Sequence, residues 1–124
     1  MDYLYLSEDA EGVSFFETRS FQQSLQSFAP PAPKLLISRP EPAEQLVFLT
    51  LPPGWGGPQH PSPREQIAVC LSGRLLVEAG NGEIREVGPG GVWWMADTGG
   101  SGHTSTVVGD EEVRLAIAQL GPPG

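Results

Sequence analysis

From Gln45 onward, short apolar runs are cut at regular intervals by glycine- and proline-containing turns, and that rhythm leaves no room for a helix of ordinary length. Strand-like runs span Gln45 to Leu51, Gln66 to Leu71, Arg74 to Ala79, Glu83 to Val87, Val92 to Ala96, His103 to Val108 and Val113 to Leu120. The separators Ser72-Gly73, Gly80-Asn81-Gly82, Gly88-Pro89-Gly90-Gly91 and Gly109-Asp110 supply the fixed or positive φ that chain reversal needs. Many short strands joined by tight turns predict an antiparallel all-β barrel or sandwich.

The first quarter of the chain is less regular. Tyr3 to Leu6 and Val13 to Phe16 read as short strands, and Phe21 to Ser27 reads as one or two helical turns with Phe21 and Leu25 on one face. A proline-rich breaker, Ala29-Pro30-Pro31-Ala32-Pro33, precedes a short strand at Leu35-Leu36-Ile37. Residues 1–33 are therefore expected to form an arm packing on the barrel or on a partner subunit, and residues 34–124 the barrel itself. At 124 residues the chain is long enough for one core and too short for two.

Composition narrows the partners. A formal charge of -8 disfavours phosphate backbones and anionic membranes, and no basic stripe offers a nucleic-acid surface. The single cysteine, Cys70, excludes an intrachain disulfide and reads as a small buried hydrophobe. The start, Met1 to Glu8, has neither a basic leader nor a long apolar stretch, so a cytoplasmic protein without a membrane span is expected.

Parity along the candidate strands locates a pocket. If Gln66 points inward, Ala68 and Cys70 do too, while Ile67, Val69 and Leu71 face outward. Small inward residues are expected to leave volume for a ligand. Trp93 and Trp94 are adjacent in a strand and must face opposite sides, so one is expected to line the pocket and the other to cover the exterior or a dimer contact.

The stretch from Gly54 through His60, Ser62 and Gln66 to Gly73 resembles the first cupin motif, G-x5-H-x-H-x3-E-x6-G, with Gly54, His60 and Gly73 at the family's spacing. Ser62 stands where the second histidine would be and Gln66 where the glutamate would be. The later stretch from Gly88-Pro89-Gly90 through Trp93, Trp94, Asp97 and Gly102 to His103 looks like the second motif with a longer loop. The only two histidines of the chain both fall on ligand positions of these motifs.

The resemblance implies a double-stranded β-helix, or jelly-roll barrel, enclosing a site at His60, Gln66 and His103. It also implies a divalent transition metal, zinc, nickel, manganese or iron, with His60, Gln66 and His103 as ligands. Loss of a histidine and of the carboxylate weakens that set. The leading expectation is a small-molecule-binding pocket built from His60, Gln66, His103 and one tryptophan, with Ala68 and Cys70 beneath it and Arg64 as a further candidate at its mouth. In catalysis His103 or His60 would serve as acid or base and Asp97 would orient His103. Two alternatives stand beside it: a metal-dependent dioxygenase, isomerase, epimerase or lyase acting on a small carbonyl or hydroxylated substrate, and a non-catalytic dimerisation barrel. A homodimer is expected, because open sheet edges and arms of this kind pair with a neighbour.

Overall fold

The computed structural model describes residues 1–122, and these form eleven strands. Six make one sheet: β1 (Asp2–Glu8), β2 (Ser14–Ser20), β5 (Gln45–Leu51), β6 (Gln66–Ser72), β9 (Val92–Met95) and β11 (Val113–Gln119), in the order β2-β1-β9-β6-β11-β5. A second sheet holds β7 (Leu75–Glu78), β8 (Ile84–Val87) and β10 (Thr104–Val107), in the order β10-β7-β8. The remaining pair, β3 (Gln23–Gln26) and β4 (Leu35–Ser38), is a separate hairpin. Among the described residues no helix is long and apolar enough to cross a membrane.

The six-stranded sheet is mixed, because β1 runs parallel to β9 while its other ladders are antiparallel. Residues 1–20 thus contribute two paired strands to the principal sheet, and Leu6 and Phe16 enter its core. The core joins both sheets: Ala68, Cys70, Trp93, Met95, Leu115 and Ile117 from the larger pack with Leu75, Val77, Val87 and Val107 from the smaller. Alternation does the sorting. On β6, Gln66, Ala68 and Cys70 are buried while Val69 and Leu71 are exposed, and on β11 Val113, Leu115 and Ile117 alternate with exposed or half-buried neighbours.

The segment read as helical, Phe21 to Ser27, is extended instead. Gln23–Gln26 pairs with Leu35–Ser38, and Leu25 lies opposite Leu36. A seven-residue stretch forms too few helical hydrogen bonds to offset nucleation, whereas the cross-strand ladder satisfies its backbone directly. Two glycines sit at close backbone approaches, Gly73 against Glu112 and Val113 and Gly102 against His60. Gly73 and Gly102 both have φ of +79°, and a Cβ on Gly102 would strike the His60 carbonyl.

Candidate functional site

His60 and His103 come from segments distant in sequence and meet through a short antiparallel bridge. Each backbone N–H donates to the other's carbonyl at 3.0 Å, and the ring centroids lie 5.3 Å apart. The close approach of Gly102 to the His60 carbonyl allows that bridge, since any larger residue would push the two segments apart. His103 is buried and His60 is exposed at the rim.

Asp97 organises the interior of the site. It is completely buried, and its two carboxylate oxygens are both engaged: Ser62 Oγ–H donates to Oδ1 at 2.8 Å and His103 Nδ1–H donates to Oδ2 at 2.6 Å. The Ser62 backbone N–H also donates to the Asp97 carbonyl at 3.0 Å. Because a carboxylate only accepts, the imidazole carries a proton on Nδ1, and Nε2 is the ring nitrogen left for the far side of the ring. Ser62, Asp97 and His103 are thus one hydrogen-bonded chain, and Ser62 serves as a fixed partner of Asp97.

Beside that chain lies a cavity of about 140 Å³. His60, Ser62, Gln66, Trp93, His103 and Ser105 supply its polar atoms, and Leu49, Leu51, Leu75, Met95, Leu115 and Ile117 supply most of its apolar wall. Trp55, from the glycine-rich loop ahead of His60, also lines it. Gln66 is held on both sides: its Nε2 approaches the Met95 sulfur at 3.4 Å and its Oε1 accepts from Gln119 Nε2 at 3.0 Å. Trp93 is almost fully buried, its ring meets His103 edge-on at 5.3 Å, and its Nε1–H has no hydrogen-bond partner. That N–H is shut off from open space, so among the described residues it is a buried donor left unpaired.

Four candidate residues lie elsewhere. Trp94 occupies the opposite face of β9, against Tyr3 and Phe21, and its Nε1–H donates to Glu65 at 2.9 Å. Strand alternation sends the two tryptophans apart. Arg64 points toward the C-terminal segment, donating to the Gly121 carbonyl at 3.2 Å and lying 3.6 Å from Glu44, with neither residue on the cavity wall. Ala68 and Cys70 do face inward but do not line the cavity. Ala68 stands opposite Trp93 on one side and Ile117 on the other, both larger buried side chains. The Cys70 sulfur packs near the Ser72 and Gly73 carbonyls, and burial pushes its thiol pKa up. The apolar wall and the Ser62–Asp97 bond had no local signal in the sequence.

Residues 47–118 match the family model described as Cupin domain. The chain belongs to the cupin family. Among solved structures, the cupin domain of Cnp3 from Schizosaccharomyces pombe is similar at 17% identity, with 96% of this chain and 83% of that chain covered and a TM-score of 0.46. No curated protein matches the chain.

As a cupin, the chain raises the question of a resident metal, and its donor set does not fit one. His60 and His103 offer two imidazole nitrogens, but the Ser62 hydroxyl and both oxygens of Asp97 are committed to each other and to His103. Gln66 contributes a neutral amide oxygen already accepting from Gln119. Among the described residues the one acid bonded to these imidazoles, Asp97, already has both oxygens engaged and is not free to balance a dication. Among the described residues no group of three or more His, Cys, Asp and Glu side chains is placed to hold a metal ion.

Proposed function

We propose that this cupin binds a compact, partly polar small molecule in the cavity walled by Gln66, Trp93 and His103. The observation that carries the reading is a cavity whose mostly apolar wall includes the buried side chains of Gln66, Trp93 and His103. The ligand is small, because about 140 Å³ is close to the roughly 150 Å³ cavity that accommodates benzene.

The Asp97–His103 hydrogen bond favours a catalytic version of this reading. With its proton held on Nδ1 by Asp97, His103 presents Nε2 as a proton acceptor. A small carbonyl compound seated in the cavity against His103 would bring a neighbouring acidic proton within the reach of that nitrogen. The substrate class is then a small carbonyl or hydroxylated compound, and the chemistry is proton transfer by His103.

Titration with pyruvate, hydroxyacetone and phenol, followed by tryptophan fluorescence, tests the binding reading. At least one should quench emission saturably, the response should vanish in Trp93→Phe, and it should persist in Trp94→Phe. Equal responses from the two variants, or none in the wild type at millimolar concentrations, would remove its support. For the catalytic reading, deuterium incorporation into the methylene of hydroxyacetone should be faster with wild type than with His103→Gln, and equal rates would count against it.

A further inference from the structure

We propose that Gln119, which lies outside the cavity, is a positioning residue: it turns the Gln66 amide so that an N–H faces the cavity, and the site thereby selects a ligand that accepts a hydrogen bond at that point. The inference rests on the ligand-binding reading above and adds to it the polarity of one wall.

Three glutamines stand in one row across three strands. Gln119 on β11 is in register with Gln45 on β5 and with Gln66 on β6, and Gln66 in turn with Met95 on β9. Side chains directly opposite one another on one face of a sheet are close enough to bond. These do so end to end: Gln45 Nε2–H donates to Gln119 Oε1, Gln119 Nε2–H donates to Gln66 Oε1 at 3.0 Å, and Gln66 Nε2–H meets the Met95 sulfur at 3.4 Å. Exposure falls along the row, from exposed Gln45 through half-buried Gln119 to buried Gln66 and Met95.

The row has one sense, and the Met95 end sets it. An amide can present either its oxygen or its NH2 to a neighbour, but a thioether accepts and does not donate. Turning Gln66 over would set its oxygen against the Met95 sulfur, two buried acceptors face to face, and its NH2 against the NH2 of Gln119. Gln119 is the middle link. With its oxygen taken by Gln45, it has only N–H to offer Gln66.

The consequence falls on the cavity, which Gln66 and Met95 line and Gln119 does not. Gln66 Oε1 is drawn toward β11 and away from the open volume, while Nε2 lies on the side of Met95, which borders it. Nε2 carries two N–H groups and the sulfur, a weak acceptor, takes one of them. The second is the donor this wall offers a ligand. A carbonyl or hydroxyl oxygen fits against it, whereas a cation is refused, and the one atom of Gln66 able to ligate a metal ion is withheld.

Two substitutions of opposite polarity at position 119 test the proposal. Gln119→Glu offers acceptors only, so Gln66 must turn its N–H away from Met95 to meet it, while Gln119→Lys offers donors only and leaves Gln66 in its wild-type sense. A nuclear Overhauser contact between the Gln66 side-chain N–H protons and the Met95 methyl group reads the orientation with no ligand present. Fluorescence titration with hydroxyacetone, an uncharged probe, reads the effect on binding. The contact should be present in wild type and in Gln119→Lys and should weaken several-fold in Gln119→Glu. Hydroxyacetone affinity should fall at least about tenfold in Gln119→Glu, and Gln119→Lys should retain most of what that variant loses. A merely structural role for Gln119 would make the two variants equally harmful by both measures, and that result overturns the proposal. Absence of the contact in wild type overturns it too, with no variant needed. If wild type shows the contact but does not bind hydroxyacetone, the binding reading loses its support, while the contacts in the two variants still decide whether Gln119 sets the amide.

Discussion

Replacing Asp97 with alanine removes the one group that holds Ser62 and His103 together. In the wild type the carboxylate receives two side-chain hydrogen bonds in a fully buried setting, at 2.8 Å and 2.6 Å. Hydrogen bonds to a charged group contribute about 1.5–3 kcal/mol each, and each buried donor left unpaired costs about 1–3 kcal/mol. The variant also avoids the cost of burying a carboxylate, which offsets part of this loss. The net effect should be a destabilisation of roughly 2–4 kcal/mol, or a fall in melting temperature on the order of 10 °C for a domain of this size. Urea unfolding followed by tryptophan emission measures it directly. A double-mutant cycle with Ser62→Ala should show a coupling of about 1 kcal/mol or more, because each partner's cost depends on the other. The His103 imidazole signals should also change, since its tautomer is set by Asp97. A destabilisation below about 0.5 kcal/mol together with zero coupling would show that the three groups are not a connected chain and would refute the reasoning.

Three further outcomes are expected. Ser62→His adds an imidazole to the cavity wall beside His60 and His103, and calorimetry should find zinc or nickel binding strengthened at least about tenfold, with the gain abolished by His103→Ala. Gly102→Ala must relieve both a positive φ and contact with the His60 carbonyl, so it should cost more than about 1 kcal/mol and disrupt the His60–His103 bridge, as read by chemical denaturation and ligand-induced fluorescence. Cys70 has a raised thiol pKa because of burial, so the folded protein holds that proton where the unfolded chain has lost it; stability should fall as pH rises above about 9, and less so in Cys70→Ala. Alkylation by iodoacetamide should correspondingly be slow in the native protein and fast in urea.

The sequence by itself determined much of what is local. Period-two alternation assigned Gln66, Ala68 and Cys70 to one side of β6 and split Trp93 from Trp94, because successive side chains of a strand must diverge. Ser72-Gly73 marked a chain reversal, and Gly73 there has positive φ, which other residues resist. Only the tertiary structure decided what stands opposite those residues. Ala68 is flanked by Trp93 and Ile117 and does not line the cavity, and the open volume lies instead among Gln66, Trp93 and His103. Ser62 and Asp97 are thirty-five residues apart, and their pairing with His103 depends on how two sheets close over one core. The extended form of Gln23–Gln26 likewise rests on its partner strand, which no local propensity names. Alternation records the side on which a residue lies, but the neighbour across the gap is set by strand order and register, which are non-local quantities.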